Sequence, residues 1–246
     1  APETFANEAE RLIVQEHVDV IFGCWSSASR KAVLPVLERH AHLLFYPVQY
    51  EGLEQDRHVV YTGAVPNQQM VPGIKWATDN LGKRFFLVGS DYVYPHAANT
   101  MARVQIEVLD GKVVGEEYLL LGSKDVAPLM DKIRQAKPDV ILNTINGDSG
   151  KAFFAGLRQA GIATPTLSLS SSEVEFAQMG QDMPVGHFAA WNYFQSVETP
   201  ENTRFVQRYK ARFGENAVAG DTMEAGYFGV KLWAQAVTNA ETTDPE

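Results

Sequence analysis

The most restrictive feature of this sequence is a unit that repeats along the chain. It consists of a short run of β-branched and apolar residues, a corner rich in glycine and serine, and an amphipathic helical pattern; residues 17–22, 23–29 and 30–40 show these parts in order. Neighbouring parallel strands need a long crossover, which a helix usually supplies. We therefore predict an α/β fold built on parallel sheets.

The predicted strands fall into two series, which indicates two lobes. A chain of 246 residues is long enough for two lobes of roughly 100–150 residues each. The first series has about three strands, at residues 17–22, 42–46 and 59–62. The second series has five, at residues 84–88, 113–118, 139–143, 165–169 and 187–191.

The predicted helices lie before, between and after these strands. They cover residues 3–15, 30–40, a segment that ends near residue 80, 99–109, 128–136, 151–160, 201–212 and 223–239. Pro35 should strain the helix at residues 30–40, because it removes a backbone donor. The last two have no strand after them, so we place both back on the first lobe. The first lobe is then residues 1–65 plus 197–246, and the second is residues 66–196. Because the chain opens in a helix, we expect the first lobe to be incomplete, with sequence missing at both ends.

Charge and composition exclude several partners. The net charge is −9 and no basic stripe interleaves with aromatic residues, so we expect no nucleic acid partner. No apolar run approaches the roughly 18 residues that span a bilayer, so we expect no membrane insertion. No histidine has metal-ligand spacing and no strand is followed by a dinucleotide fingerprint, so we expect no metal and no cofactor. The single cysteine, Cys24, fits periplasm and cytoplasm equally.

The corners after the strands are where a ligand should bind, because loops and helix N-termini present unpaired N–H groups there. They supply hydroxyls, aromatic rings and carboxylates, with Arg30 and Lys151 as cations in the first turns of the helices that follow. A planar, neutral ligand with a carbonyl and N–H donors suits this set of groups, as an amide or urea would. The corners are residues 23–29, 46–52, 89–95, 144–149 and 168–173.

Each corner also has a purely structural interpretation. Serine and aspartate are favoured helix N-caps, two aromatic residues on one side of an extended segment can be core packing, and a glutamate at a helix start can be a solvated charge. The capping interpretation applies to Ser27, Ser29, Asp148 and Ser149. The core-packing interpretation applies to Tyr92 and Tyr94, and the solvated-charge interpretation applies to Glu173.

One segment is similar to the nucleophile region of serine proteases, namely Gly147-Asp148-Ser149-Gly150. It lies at a strand-to-helix corner, and His96 is the only histidine in a neighbouring corner that could serve as a base. We therefore predict that the protein is not an enzyme. An amidohydrolase, the enzymatic alternative, should release ammonia from urea.

Five segments carry a resemblance to a known family: residues 22–31 (FGCWSSASRK), 44–52 (LFYPVQYEG), 86–95 (FLVGSDYVYP), 143–149 (NTINGDS) and 189–196 (AAWNYFQS). Together they resemble the periplasmic urea-binding proteins of ABC transporters and, more distantly, the amide-sensing regulators of amidase operons. The resemblance runs through nearly the whole chain. Family members begin with a further strand, helix and strand and end with additional strands, which this sequence lacks.

The resemblance implies a type I periplasmic binding protein, similar to leucine-binding proteins, with two Rossmann-like lobes and a ligand cleft between them. It implies a periplasmic location, an ABC permease as partner and closure of the lobes around urea or a short-chain amide. Trp25, Val48 and Gln49 resemble the urea branch more than the amide-sensor branch. The ligand-binding residues that it implies are Trp25, Ser26, Ser27, Tyr46, Val48, Gln49, Tyr92, Tyr94, Asn146, Gly147, Asp148, Ser170, Ser171 and Glu173.

Two other binding functions remain open. A cytoplasmic amide sensor would control gene expression through a protein partner, and a neighbouring amidase gene instead of a permease gene would distinguish it. A branched-chain amino-acid binder would need a partner for the ligand carboxylate, and Arg30 is the evident candidate on the first lobe.

Overall fold

The computed structural model describes residues 1–179 and 185–245. These residues form two compact units, Ala1–Val65 with the segment that begins at Asp221, and Pro66–Gly220. The units divide after residue 65 and after residue 220. The predicted division instead places the second boundary after residue 196.

The helices and strands alternate along most of the chain, as the repeating unit predicts. The strands are β1 (Ile21–Phe22), β2 (Leu44–Tyr46), β3 (Val59–Tyr61), β4 (Arg84–Ser90), β5 (Lys112–Leu119), β6 (Val140–Thr144), β7 (Thr166–Ser168) and β8 (Phe188–Ala189). The helices are α1 (Pro2–Val14), α2 (Ser27–His40), α3 (Met70–Asn80), α4 (Val93–Val108), α5 (Ala127–Ala136), α6 (Asp148–Gln159), α7 (Glu173–Gln178), α8 (Pro200–Phe213) and α9 (Asp221–Ala240). None of these helices combines the length and the apolar character that crossing a bilayer requires.

The first unit contains a parallel sheet of three strands in the order β1-β2-β3. The central strand β2 is entirely buried, and Phe45 pairs with Phe22 on one side and with Val60 on the other. Such an unbroken apolar strand is typical of a parallel sheet covered on both faces. Helix α9 contributes to one cover, since Trp233 meets Phe22 edge to face with ring centroids 6.2 Å apart.

Helix α2 continues through Pro35, where we predicted strain. The proline is exposed, and it removes one backbone hydrogen bond from the helix interior. Val33, Val36 and Leu37 are buried in the core of the first unit. This apolar packing keeps the helix intact, because tertiary contacts contribute most of the stability of a helix in a protein.

The second unit contains a parallel sheet of five strands in the order β5-β4-β6-β7-β8, which confirms the prediction of five strands. Strand β4 shows how the sheet is covered. Phe85 and Leu87 point into one core, which includes residues of α3 and α4. Phe86 and Val88 point into a second core, which includes residues of α5 and α6. Alternate residues of a strand face opposite sides, so an apolar strand of this kind requires helices on both faces of its sheet.

Two helices of the second unit differ from the prediction. Helix α4 begins at Val93, six residues before the predicted start, and Pro95 lies in its first turn. A proline is tolerated there because the first N–H groups of a helix have no intrahelical partner. Helix α7 is absent from the predicted helices, although the structural interpretation of Glu173 places a helix start there; it begins after Ser172, which forms a capping box with Glu175.

The two-unit division groups α8 with the second unit, whereas the sequence places it on the first lobe. Asn202 in its first turn donates from Nδ2 to the carbonyls of Gln195 and Val197 and accepts from the hydroxyl of Tyr193. Of the residues in α8, Asn202 alone is buried. The helix therefore has no large apolar face that must pack on a sheet, and these polar contacts tie it to the segment after β8.

Candidate functional site

The first unit carries a polar corner where β1 and β2 end. The carboxyl ends of neighbouring parallel strands lie at one edge of the sheet, so the loops that follow them meet. Ser27 in the first turn of α2 donates its hydroxyl proton to Glu51 Oε2 over 2.5 Å. Ser27 is 1% exposed and Glu51 is 3% exposed. The bond is therefore a buried, charge-assisted hydrogen bond, a class stronger than neutral ones.

Arg30 lies at the centre of this corner and is fully buried. Its Nε donates to Glu54 Oε1 over 2.7 Å and its Nη2 donates to Glu51 Oε1 over 3.0 Å. Its Nη1 donates to Ser27 Oγ over 3.2 Å. We call Ser27, Arg30, Glu51 and Glu54 the first-unit corner. All three nitrogens of the guanidinium group are thus engaged within it.

Aromatic rings occupy the faces of the same guanidinium group. The ring centroids of Tyr46, Tyr50 and Tyr61 lie 4.7, 4.8 and 5.8 Å from Arg30 Cζ. Tyr50 and Tyr61 are stacked on each other, with centroids 4.5 Å apart. Cation–π contacts of this kind strengthen as the cation loses water, so the rings hold Arg30 in one orientation.

The charges of this region balance. Lys31 Nζ lies 3.3 Å from Glu54 Oε2 and 3.8 Å from Glu51 Oε1, so two cations face two carboxylates. Burial by itself raises the pKa of Glu54, but hydrogen bonds from Arg30 and Tyr61 outweigh burial and hold that pKa below its usual value. The carboxylates of this region are therefore paired with its own cations, which leaves no unpaired charge for an ionic ligand.

The loop between β1 and α2 is strained. Cys24 and Ser26 have φ angles of 65° and 83°, although neither is glycine. Ser26 combines its φ with a ψ of 150°, a region that is essentially restricted to glycine. Its hydroxyl caps α2 by accepting from the N–H of Ser29 over 3.4 Å. The N-cap is therefore Ser26, and the capping interpretation of Ser27 is wrong.

The other residues predicted on the first lobe differ in exposure. Trp25 is 56% exposed, whereas Val48 and Gln49 are each 6% exposed. Tyr46 is fully buried. Its hydroxyl has no hydrogen-bond partner at ordinary distance and angle among the described residues. Burial raises the pKa of Tyr46, so the phenol remains protonated. Of these residues, Trp25 is therefore the most exposed to solvent.

The second unit carries a comparable corner at the ends of β4 and β6. The backbone N–H of Asn146 donates to Ser90 Oγ over 2.9 Å, and Asn146 Nδ2 donates to the hydroxyl of Tyr92 over 3.0 Å. These bonds join the turn after β6 to the turn after β4. The structure therefore brings two of the predicted residues, Tyr92 and Asn146, together.

Tyr94 has a different environment from the one predicted. We placed Tyr92 and Tyr94 on one side of an extended segment, which is wrong because α4 begins between them, at Val93. Tyr94 is 5% exposed and lies in the same core cluster as Ile74 and Ala98. Its ring contributes to packing, as the structural interpretation of this pair proposes.

Helix α6 begins without a side-chain cap. Its N-cap is Gly147, with φ 64°, and neither Asp148 nor Ser149 caps it, so that interpretation is wrong for both residues. Asp148 lies 3.9 Å from Lys151 and its side chain is 73% exposed. Ser149 is fully buried, and its hydroxyl has no hydrogen-bond partner among the described residues. A buried, unpaired hydroxyl costs about 1–3 kcal/mol, which a ligand oxygen would offset.

The turn after β7 contributes a second hydroxyl of this kind. Ser170 is 8% exposed and its Oγ also lacks a partner within the described part of the chain. The next residues are occupied: the carbonyl of Ser171 accepts from Trp191 Nε1 over 3.0 Å, and Glu173 Oε2 accepts from the N–H of Gln195 over 2.8 Å. We call Tyr92, Asn146, Ser149 and Ser170 the second-unit corner.

Sequence reasoning singled out neither Glu54 nor two residues that bond to the corners, Tyr61 and Ser90. Glu54 follows Glu51 by three residues, a spacing that could have indicated two carboxylates in one turn. Tyr61 pairs with Tyr46 in the register of the sheet, which only the strand alignment reveals. Ser90 ends β4 at the edge where β6 ends, a signal present in the strand pattern.

The residues considered for metal binding and for catalysis have the following surroundings. Within residues 1–179 and 185–245, no group of three or more histidine, cysteine, aspartate or glutamate side chains is arranged to hold a metal ion. The hydroxyl of Ser149 has no hydrogen-bonded base in the same residues. His96 instead pairs with Asp91 over 2.8 Å and stacks on Tyr118.

Two related proteins match different fractions of the length of the chain. The Leu/Ile/Val-binding protein homolog 6 of Brucella suis is 22% identical over 232 residues, which is 91% of this chain and 59% of that protein. A limonene hydroxylase of Geobacillus stearothermophilus is 36% identical over 66 residues, which is 27% of this chain and only 12% of that protein. The chain therefore spans about three fifths of the length of the Brucella relative.

Solved structures share the fold over the whole chain. The solute-binding protein of an ABC transporter from R. palustris, in complex with 4-hydroxybenzoate, superposes with a TM-score of 0.91 at 23% identity, covering 100% of this chain and 69% of that one. At this level of identity the likeness shows the fold. The family model described as a periplasmic binding protein domain matches residues 1–246. The chain therefore belongs to the periplasmic binding protein family.

Proposed function

We propose that this protein is the solute-binding component of an ABC transporter, located in the periplasm, and that it binds urea or a short-chain amide. The observation that carries the proposal is the pairing of Arg30, the buried cation of the first-unit corner, with Glu51 and Glu54. A ligand carboxylate would have to compete with both for the guanidinium group. A neutral ligand meets no such competition.

The second-unit corner suits the carbonyl of such a ligand. The hydroxyls of Ser149 and Ser170 are donors that lack a partner among the described residues. Helix α6 also begins with backbone N–H groups that no side chain caps, and these groups attract a carbonyl oxygen. An amide or urea offers the carbonyl oxygen that these donors need.

The preference for urea rests on the resemblance of Trp25, Val48 and Gln49 to the urea branch. Ligand binding would favour the conformation that makes the most contacts with the ligand, and the permease would recognise that conformation. We also propose that the protein performs no reaction on its ligand. Incubation with urea should then release no ammonia, and sustained release would contradict this part of the proposal.

A carboxylate ligand is the second candidate function. Helices α4 and α6 both begin without a side-chain cap, and the positive end of a helix dipole favours an anion. The R. palustris protein was solved with 4-hydroxybenzoate, and the Brucella relative is named for leucine, isoleucine and valine. Under this alternative, the second-unit corner would bind the carboxylate.

A ligand panel distinguishes the two functions. Thermal midpoints of the full-length protein would be measured with urea, acetamide, formamide, leucine and 4-hydroxybenzoate, since a ligand that binds only the folded state raises the midpoint. We expect urea or an amide to raise the midpoint and to give a saturable isotherm in calorimetry. A shift with leucine or 4-hydroxybenzoate but with none of the amides would establish the alternative.

A further inference from the structure

We propose that Glu51 determines the charge selectivity of the binding site, so that the first-unit corner accepts N–H donors and excludes carboxylates. The inference rests on the proposed function, since it assumes that Ser27 contacts the ligand. It goes further by assigning a specificity role to a glutamate that the sequence had not singled out.

The first step concerns the single proton of the Ser27 hydroxyl. That proton is donated to Glu51 Oε2 over 2.5 Å, and Ser27 Oγ accepts from Arg30 Nη1 over 3.2 Å. A hydroxyl has one proton and two lone pairs. With its proton engaged by Glu51, Ser27 can offer a ligand only a lone pair. It therefore recognises an N–H group and has nothing to donate to a carboxylate oxygen.

The second step concerns the guanidinium group of Arg30. Its Nε and Nη2 donate to Glu54 and Glu51, its Nη1 donates to Ser27, and tyrosine rings lie over its plane. In other sites, an arginine recognises a carboxylate through two parallel N–H bonds. Here the protein's own carboxylates take those positions, so Arg30 acts as a support for Glu51 and is not available as an anion receptor.

The third step concerns charge. A ligand carboxylate that contacted Ser27 would also approach the carboxylate of Glu51, which is 3% exposed. Repulsion between like charges is strong where water is excluded. An amide NH₂ group in the same place would instead donate to Ser27 or to Glu51. The corner therefore distinguishes acetamide from acetate, two molecules of nearly equal shape.

Glu51→Gln should reverse this selectivity. The glutamine oxygen can accept from Arg30 while its NH₂ group donates to Ser27 Oγ, which releases the serine proton for a ligand oxygen. The substitution also removes the negative charge next to Ser27. We expect acetate to bind at least about tenfold more tightly than it does to the unchanged protein, the effect of one charge-assisted hydrogen bond.

Glu54→Gln is the matched control. It changes the net charge by the same amount and also replaces a carboxylate partner of Arg30 with a neutral amide, but no hydrogen bond joins Glu54 to Ser27 in the described structure. Calorimetric affinities for acetamide and for acetate would be measured for both variants in the full-length protein, at one pH and ionic strength. We expect the ratio of the two affinities to change much less in Glu54→Gln than in Glu51→Gln. Equal changes would overturn the inference, because they would show a general effect of charge.

Ser27→Ala tests the same arrangement if Glu51→Gln does not fold, which the thermal midpoint would reveal. We expect this variant to bind acetamide about tenfold more weakly and to gain no affinity for acetate. Unchanged binding of acetamide would overturn the inference. An unchanged protein that binds urea or acetamide no better than acetate would also overturn it. If the unchanged protein binds neither urea nor any amide, the proposed function itself fails.

Discussion

The backbone of Ser26 has φ 83° and ψ 150°, and this residue directly precedes the helix that carries Ser27 and Arg30. A non-glycine residue in this region costs on the order of 1–3 kcal/mol. The strain persists because the buried pairs of Ser27 and Arg30 hold the first turn of α2 against the loop after β2. Strained residues of this kind cluster at binding sites, which agrees with the proposed role of this corner.

Ser26→Gly should stabilise the protein. Glycine adopts this conformation without strain, and the lost cap costs only a few tenths of a kcal/mol when glycine replaces serine. We expect the free energy of unfolding to rise by about 1 kcal/mol, measured by guanidinium denaturation. Ala28→Gly, within the first turn of the same helix, is the control and should lower stability by about 0.5–1 kcal/mol. A loss of stability in Ser26→Gly as large as in the control would contradict the assignment of strain.

At the scale of elements, the helices differ in what holds them. Helix α2 has an interior proline, yet its buried apolar residues keep it in place. Helix α8 buries only Asn202 and is held at its first turn by polar contacts. A pattern of strands and helices predicts that such segments exist, but it does not predict what each one packs against.

Pro35→Ala should stabilise the first unit. The substitution restores the backbone donor at an exposed position in the middle of α2, and alanine has the best helix propensity. Part of the gain is offset because the unfolded chain also becomes more flexible. We expect a rise of about 1 kcal/mol in the free energy of unfolding. Pro128→Ala, at the first turn of α5, is the control and should change stability by no more than about 0.5 kcal/mol, because a proline removes no hydrogen bond there.

The edge of the second sheet should respond to pH through His187. Its Nδ1 accepts from the N–H of Thr166 over 3.2 Å, which joins the starts of β7 and β8. Burial lowers the pKa of His187 below its usual 6.5, so the unfolded chain takes up the proton first as the pH falls. The neutral histidine therefore makes its full contribution to the free energy of unfolding above pH 6.5, and that contribution is lost as the pH falls below this value.

His187→Asn should reduce this dependence. The asparagine oxygen can still accept from Thr166, but it does not titrate. Denaturation midpoints measured between about pH 7.5 and 5 should fall less steeply in the variant than in the unchanged protein. His17→Asn, at an exposed position, is the control and should keep the original slope. Identical slopes in all three proteins would show that His187 does not carry the effect.

At the scale of the whole molecule, the chain forms two compact units, and each has its own apolar core. The first unit has a sheet of three strands, whereas the second has five strands with a core on each face. Units with separate cores can unfold separately. This division also assigns each corner to one unit, so each corner can be perturbed by substitutions in its own unit.

Calorimetry should therefore resolve two unfolding transitions. Pro35→Ala should raise the midpoint of one transition, and His187→Asn should reduce the pH dependence of the midpoint of the other. A single transition that both substitutions shift equally would contradict the separation of the two units.

The sequence by itself determined the class of the fold, most of its strands and the corners at which they end. It also identified Ser27, Tyr92 and Asn146 as polar residues of those corners. These features depend on local information: the period of apolar residues reflects which faces are buried, and glycine and serine mark the turns. The same local information does not pair Arg30 with Glu51 or Glu54.

Only the tertiary structure decided which groups are paired and which are buried. Arg30, a candidate partner for a ligand carboxylate by sequence, is paired with Glu51 and Glu54, which lie 21 and 24 residues away. Tyr94 lies in the core because α4 begins at Val93, and α8 remains with the second unit. The physical reason is that the partner of a polar side chain depends on strand register and on packing between distant segments, neither of which local periodicity encodes.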